Sequence, residues 1–321
     1  MVGCWSFGGD KNSYWGVQDQ KEVDYIVSKA LDMGVNFFDT AFMYNDGDSE
    51  RSLGTALKGK RDQAVICNKI LITEDTEPNS YEDKIFKSLK RLGTDYIDLM
   101  MIHWPTYNAG LLQENLLLLD KMKKKGYIRQ IGVSNFGKGA LSASFEVGIE
   151  PVANEFAYNL ISRGIEREIL PFCVSHDIGI LAYMPLMQGI LTGKYKSIDD
   201  MPDIRKRTYH FDSSRQKDAV HTGKGLEDDL EEFLNKLIIL SENAGLTPAQ
   251  AALGWLCANE GVLSVLAGIR NSAQLDENVK AMKNKMPLEL LEALDDASAK
   301  IYAETGSRTD LWRDENDSRI W

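Results

Sequence analysis

The stretch Val35–Gly59, "VNFFDTAFMYNDGDSERSLGTALKG", decides how this chain is read. It begins as a short, mostly apolar run rich in strand-forming residues. It breaks at "YNDGD", a cluster of turn formers, and resumes as a helical stretch that stops at a glycine. That is one strand-turn-helix unit. Its strand ends in a carboxylate, Asp39, and a tyrosine, Tyr44, follows five residues later. A lone buried carboxylate is costly unless it is paired, so Asp39 demands a partner.

The same unit recurs along the chain. "MVGCWSF" reads as a strand, and "QKEVDYIVSKALDMG" as a helix with Val23, Ile26, Val27, Ala30 and Leu31 on one face and Gly34 as its stop. "AVICNKI", "YIDLMMIHW", "IRQIGVSNF", "PVANEFAYN", "IGILAYMPL" and "LSVLAGI" continue the strands. "SYEDKIFKSLKRLG" and "LLQENLLLLDKMKKKG" are helices between them, the second ending in lysines and glycine as helix C-termini prefer. Eight strand candidates result. Several are nearly continuous apolar runs, as parallel strands covered on both faces should be. Alternating strands and helices imply a parallel sheet, and eight units fit a (β/α)8 TIM barrel spanning residues 1–321 as a single domain. An open doubly wound sheet would want G-x-G-x-x-G after its first strand, and "FGGDKNSYWG" lacks that spacing. Two regions break the rhythm: a long polar loop at 194–225 with few apolar anchors, and a polar tail at 304–321 carrying Trp312 and Trp321.

Composition narrows the function. The 321 residues are 43% hydrophobic with a formal net charge of -11, which supports a large core and argues against nucleic-acid or anionic-membrane partners. No apolar run approaches the ~20 residues of a membrane span, and no signal peptide is visible. Cys4, Cys67, Cys173 and Cys257 are scattered with no C-x-x-C, a usage that fits a reducing cytoplasm; Cys67 reads as a small core residue.

Active sites of such barrels sit at the C-terminal ends of the strands. Strand two ends in Asp39 with Tyr44 in its loop, strand three in Lys69, strand four in His103. Taken singly, Asp39 could cap a turn, Lys69 could snorkel to the surface, Tyr44 could be loop packing and His103 a core histidine. On three successive strands in order, they suggest one site. Asp39 can pair with Lys69, and the ammonium can face Tyr44 and lower its pKa. A phenol so tuned can give a proton to a carbonyl oxygen, which His103 can orient. The rival chemistries lack their motifs. Of the four histidines, His103, His176, His210 and His221, only His103 ends a strand, and there is no H-E-x-x-H and no G-x-S-x-G.

The D-T-A-x-x-Y-x-x-G-x-S-E pattern at 39–50, "CNKI", "DYIDLMMIHWP" and "IRQIGVSNF" together resemble the aldo-keto reductases over nearly the whole chain. The resemblance implies a (β/α)8 barrel using NADPH, with NADH possible, to reduce aldehydes or ketones to alcohols by hydride transfer. Its catalytic Asp, Tyr, Lys and His fall on Asp39, Tyr44, Lys69 and His103. It implies that Ser134 and Asn135 bind the nicotinamide carboxamide and that Tyr183 stacks on the ring. Leu186, Gln188 and Gly189 through Lys194 would fold over the pyrophosphate. Gly268, Arg270, Gln274, Glu277 and Asn278 would hold the adenosine end, with Arg270 a candidate partner for a 2′-phosphate. Trp5 belongs with the cofactor-side residues and, with Trp15, Trp104, Trp312 and the loop "YHFDSS", with the candidate pocket walls.

Three departures stand out against the family pattern. Glu155 replaces a Gln, and a carboxylate can accept from the carboxamide but not donate to it unless protonated. Gly268 and Gln274 stand where many members carry Lys and Arg, which leaves NADH use open. The hairpin that usually precedes the first strand is absent from this numbering. The chain also resembles potassium-channel β subunits, so a cofactor-bound regulatory or redox-sensor role is the alternative expectation. The substrate is expected to be a small carbonyl or alcohol, with its identity, the direction of reaction and the oligomeric state unread.

Overall fold

The computed structural model describes residues 1–73, 79–195, 197–283 and 285–321. Lys196, inside the expected long loop, lies outside them. The sheet holds β1 (Val2–Gly3), β2 (Phe37–Asp39), β3 (Val65–Ile70), β4 (Ile97–Ile102), β5 (Ile128–Ser134), β6 (Ala153–Ala157), β7 (Gly179–Tyr183), β8 (Val262–Val265) and β9 (Ala267–Gly268). Every strand pairs in parallel, in the order β8-β7-β6-β5-β4-β3-β2-β1-β9. β8 and β9 are one strand interrupted at Leu266. Its first half pairs with β7 and its second with β1, and Leu266 N still donates to Ala182 O at 2.8 Å. The interruption passes the strand from one neighbour to the other and closes the (β/α)8 barrel.

Helices α1 (Gln20–Asp32), α2 (Asp48–Ala56), α3 (Asn79–Leu92), α4 (Ala109–Lys124), α5 (Lys138–Glu146) and α6 (Ile169–Ser175) follow the first six strands; α7 (Glu227–Asn243) and α8 (Pro248–Ala258) both follow β7. α9 (Ser272–Lys283) and α10 (Leu288–Thr305) complete the wall. Local chemistry sets the ends. Asp19 caps α1 by accepting from Lys21 N, and Gly34, in the left-handed region at φ +81°, turns the chain out of it. Thr247 and Gln250 form a reciprocal cap on α8 with Pro248 at its first position.

Strand periodicity of two divides the apolar residues into two cores. Phe38, Ile66, Met100, Ile102, Ile131, Val133, Phe156, Ile180 and Ala182 face outward into the large core beneath the helices. Met1, Cys67, Leu99, Met101, Ala153 and Leu181 fill the barrel interior, with Phe37 and Leu266 against them. Cys67 is a core residue, as expected.

Two expectations change. "MVGCWSF" is a strand only at Val2–Gly3. Cys4 N makes one more bond, to Asp39 O, and Phe7 N then turns back onto Cys4 O. The polar loop at 194–225 is short of apolar residues but well anchored. Ile198, Met201, Tyr209 and Phe211 are buried, and Arg215 bridges Asp199 and Glu227. Tyr209 joins Ala157 and Leu311 in a third apolar cluster at the mouth, against Tyr183, Met184 and Trp312. Among the described residues no helix is long and apolar enough to cross a membrane.

Candidate active site

The interior positions of each strand lead, two residues further on, to a polar layer at the C-terminal mouth. Phe37 leads to Asp39, Cys67 to Lys69, Met101 to His103, Ala153 to Glu155 and Leu181 to Tyr183. The parity that buries the apolar layer therefore aims these five side chains at one point.

Lys69 is the centre. It is fully buried and its ammonium bonds Asp39 Oδ1 and, at 3.2 Å, Glu155 Oε2. This answers the question raised by Asp39. Burial alone would pull the Lys69 pKa down, but Asp39 and Glu155 together carry it well above its ordinary value. Two carboxylates and one ammonium in a dry site leave one negative charge too many. Burial, with Asp39 adding repulsion and Lys69 only partly opposing, pushes the Glu155 carboxyl up to about 8. A carboxyl raised in this way favours the protonated form at neutral pH, which can donate as well as accept, as a glutamine would. The sign for stability follows. Between the ordinary carboxylate range and about pH 8 the folded state holds a proton that the unfolded chain has lost, so this group's contribution falls as pH rises. Glu155→Gln is expected to flatten that decline: melting temperatures measured from pH 5 to about pH 8 should fall less steeply than in wild type. Parallel wild-type and variant curves would contradict it.

The turn carrying Tyr44 is fixed residue by residue. Asn45 and Asp46 both adopt left-handed φ (47° and 52°), a cost of about 1–3 kcal/mol each that the surroundings must hold. Asn45 Nδ2 donates to Trp5 O (3.0 Å) and Phe7 O (2.8 Å). Thr40 Oγ1 and Ser49 Oγ lie 2.8 Å apart, and Ser49 Oγ donates to Cys4 O at 2.7 Å. Glu50, fully buried, accepts from Asn68 Nδ2 (2.7 Å) and Arg91 Nη1 (2.8 Å), and Arg91 also donates to Phe42 O at 3.1 Å. Gly47 has φ +86°, and a Cβ there would lie 2.3 Å from the Arg91 guanidinium. The motif is therefore mostly scaffolding for Tyr44. Arg91→Ala strands the Glu50 carboxylate and should cost about 3–5 kcal/mol in chemical denaturation; a loss under about 1 kcal/mol, the level of an exposed pair, would show that Glu50 is relieved elsewhere.

Tyr44 is half-buried, with its ring 5.5 Å from Lys69 Nζ and 5.8 Å from the His103 ring. The expected lowering of its pKa by Lys69 is outweighed: burial first, then Asp39 and Glu155, push the phenol well above its ordinary value, with Lys69 pulling the other way. Tyr44 is a neutral phenol. Burial, together with the charges of Lys69 and Arg319, drops His103 to about 3, so its imidazole is neutral too, and its buried Nδ1 has no hydrogen-bond partner among the described residues.

The residues expected on the cofactor side divide. Ser134, Asn135, Glu155 and Tyr183 join the mouth: Tyr183 Oη donates to Asn135 Oδ1 (2.8 Å), and Asn135 Nδ2 donates to His103 O (3.1 Å) and Ser134 Oγ (3.0 Å). Trp5 stacks on the Tyr44 ring at 5.8 Å and on Tyr14 at 5.1 Å. Leu186 begins a loop in which Met187, Gln188 and Gly189 all have positive φ. Gln188 is held by Tyr14 Oη and by Arg205 Nη1 on its carbonyl. A Cβ at Gly189 would lie 2.7 Å from Lys194 Nζ, so the missing side chain leaves an ammonium-capped cradle over backbone. Around α9, Gln274 accepts from Arg270 N, Asn278 is buried, Gly268 is open, and Arg270 is exposed with no carboxylate partner among the described residues. Glu277 is spent locally, on Gln250 and Lys280.

Arg91 and Asn68 were not found from sequence, nor was the Arg319–Asp310 pair, joined at 2.8 Å in the C-terminal tail. Arg91 and Glu50 are 41 residues apart, and no spacing rule links them. Asp39, Cys67 and Glu155 offer ligand atoms within 4.8 Å of one another, but Lys69 bonds both carboxylates and stands where a cation would.

A model of the Aldo/keto reductase family matches residues 1–299. The aldo-keto reductase YhdN of Bacillus subtilis is 31% identical over 294 residues, 86% of this chain and 82% of that protein. The NADH-specific methylglyoxal reductase of Escherichia coli is 29% identical, covering 88% of each chain. Among solved structures, an aldo/keto reductase from Klebsiella pneumoniae in complex with NADP and acetate superposes with a TM-score of 0.72 at 26% identity, covering 97% of this chain and 94% of its own.

Proposed function

The chain belongs to the aldo/keto reductase family, and on that premise we propose that it reduces aldehydes or ketones to alcohols with NADPH or NADH, Tyr44 being the proton donor. The observation that carries this reading is the buried Asp39–Lys69 pair with the neutral Tyr44 and His103 beside it. A bound nicotinamide dinucleotide supplies the hydride. Everything else falls to side chains. His103, uncharged, offers an N–H to the carbonyl oxygen and orients it. As the carbonyl carbon becomes tetrahedral, Tyr44 Oη gives its proton to that oxygen. The phenolate left behind is stabilised by Lys69, which Asp39 holds in place, and regains its proton from solvent. A phenol that stays protonated at neutral pH suits the reductive direction.

Ser134, Asn135 and the protonated Glu155 would hold the carboxamide, Tyr183 would face the ring, and the Gly189–Lys194 cradle would take the diphosphate. Arg270, exposed and with no carboxylate partner among the described residues, would meet a 2′-phosphate. The relatives point both ways on cofactor, one named NADH-specific and one solved with NADP. Arg270 tips our reading toward NADPH. Four free cysteines fit a reducing cytoplasm.

The test is to follow the absorbance of NADPH and of NADH with a panel of aromatic aldehydes, dicarbonyls and sugars. Carbonyl-dependent oxidation supports the reading, and its absence in folded protein that binds dinucleotide overturns it. Slow turnover with tight cofactor retention would favour the regulatory role instead.

A further inference from the structure

We propose that the cavity beside Trp104 and Trp312 selects carbonyl substrates bearing an anionic group, a carboxylate or a phosphate, on a flat unsaturated body. The proposal rests on the reductase reading above and names its substrate class. The cavity is open to solvent and has a volume of about 300 Å³, suited to a small molecule. Its position ties it to the candidate active site. Trp104 follows His103 in the chain, and Trp312 stacks on Tyr183 at 6.4 Å. Its indole walls meet edge to face at 5.9 Å.

Three guanidinium groups line this space, in a chain whose net charge is -11. They converge from two separate segments, Arg207 from the long loop and Arg313 and Arg319 from the C-terminal tail. Arg319 is fixed. Its Nε and Nη2 each bond the buried Asp310 at 2.8 Å, and its guanidinium lies 3.5 Å over the Trp104 ring. Asp310 uses one edge of the guanidinium and leaves Nη1 to other acceptors. Arg313 pairs at 2.9 Å with Asp317, whose side chain is 61% exposed, so that bond exchanges easily with water or a ligand. Arg207, half-buried, makes no ion pair among the described residues and sits 5.3 Å from the Tyr14 ring. Among the described residues the lining has one acid, the exposed Asp218.

Neutral carbonyl compounds would need only the indole walls. Asp310 and Asp317 answer two of the guanidinium groups; Arg207, unpaired among the described residues, and Nη1 of Arg319 are left to meet an anion, and a planar fork matches carboxylate and phosphate oxygens. The parts of the two indoles that line the space supply apolar contact for an unsaturated body.

The test compares kcat/KM for three aldehydes on one ring: 4-carboxybenzaldehyde, 4-formylphenyl phosphate and 4-methylbenzaldehyde. Wild type should prefer at least one anionic aldehyde by about tenfold or more at low salt, and the two anions separate carboxylate from phosphate recognition. Arg207→Gln should lower the anionic-to-neutral ratio and Asp218→Asn should raise it. Equal values for all three in wild type, or an unchanged ratio in both variants, would overturn the proposal. If none of the three is turned over, the reductase reading itself is in question. The cavity is then judged by tryptophan fluorescence: benzoate should quench it in wild type more strongly than benzyl alcohol does, and less in Arg207→Gln. Benzoate and benzyl alcohol quenching alike would also overturn it.

Discussion

Tyr44→Phe is expected to lower kcat for carbonyl reduction by about 10²–10⁴-fold, the range for loss of a positioned general acid, while dinucleotide affinity and melting temperature stay close to wild type. The expectation follows from what the hydroxyl does and does not touch. The ring is packed between Trp5 and His103 and keeps those contacts as phenylalanine. The residues proposed to hold the dinucleotide lie on other strands and loops. The loss should fall on kcat and kcat/KM together, as it does when an interaction belongs to the transition state alone. Steady-state kinetics beside a dinucleotide titration reads all of this. Near wild-type turnover would remove Tyr44 from its proposed role.

Lys69→Met should act on both fold and chemistry. Without the ammonium, Asp39 and Glu155 share a dry site with no cation. Removing one partner of a buried ion pair costs about 3–5 kcal/mol, and here two acids are affected. In wild type the Lys69 pKa is raised, so its stabilising contribution is complete through neutral pH and is lost only as pH climbs toward its folded value. In the variant the acids decide the outcome. The Glu155 carboxyl, already raised in wild type, also loses the Lys69 charge that holds it down, so stability should fall from the ordinary carboxylate range upward and recover on acidification. Denaturation at pH 5 and pH 8 tests this. A variant equally stable at both, within about 1 kcal/mol of wild type, would show that the two carboxylates do not depend on Lys69.

Much of this was legible in the chain. The barrel follows from strand–helix alternation, and the meeting of Asp39, Lys69 and His103 follows from strand ends and parity, both local properties. What escaped were balances and long-range pairings. Whether Lys69 or burial controls Tyr44 is a contest of magnitudes between a charge and a dielectric, and residue spacing does not carry it. The same contest decides Glu155, whose substitution was visible while its protonation was not. The split of the last strand at Leu266 depends on how a barrel closes. The loop at 194–225 looked unanchored because Tyr209 and Phe211 are sparse apolar residues whose partners, such as Leu311, lie far along the chain. The Glu50–Arg91 bond was hidden for the same reason.

The central claim is hydride transfer to a carbonyl carbon at the mouth beside Tyr44. The most direct test is a single-turnover reaction with NADPH carrying deuterium at both positions of the reactive carbon of the nicotinamide, using an aldehyde that the absorbance panel identifies. The account predicts one deuterium on the carbinol carbon of the alcohol for each NADP+ formed by wild type, and a greatly slowed transfer in Tyr44→Phe. Alcohol without deuterium, or transfer as fast in Tyr44→Phe as in wild type, would contradict it.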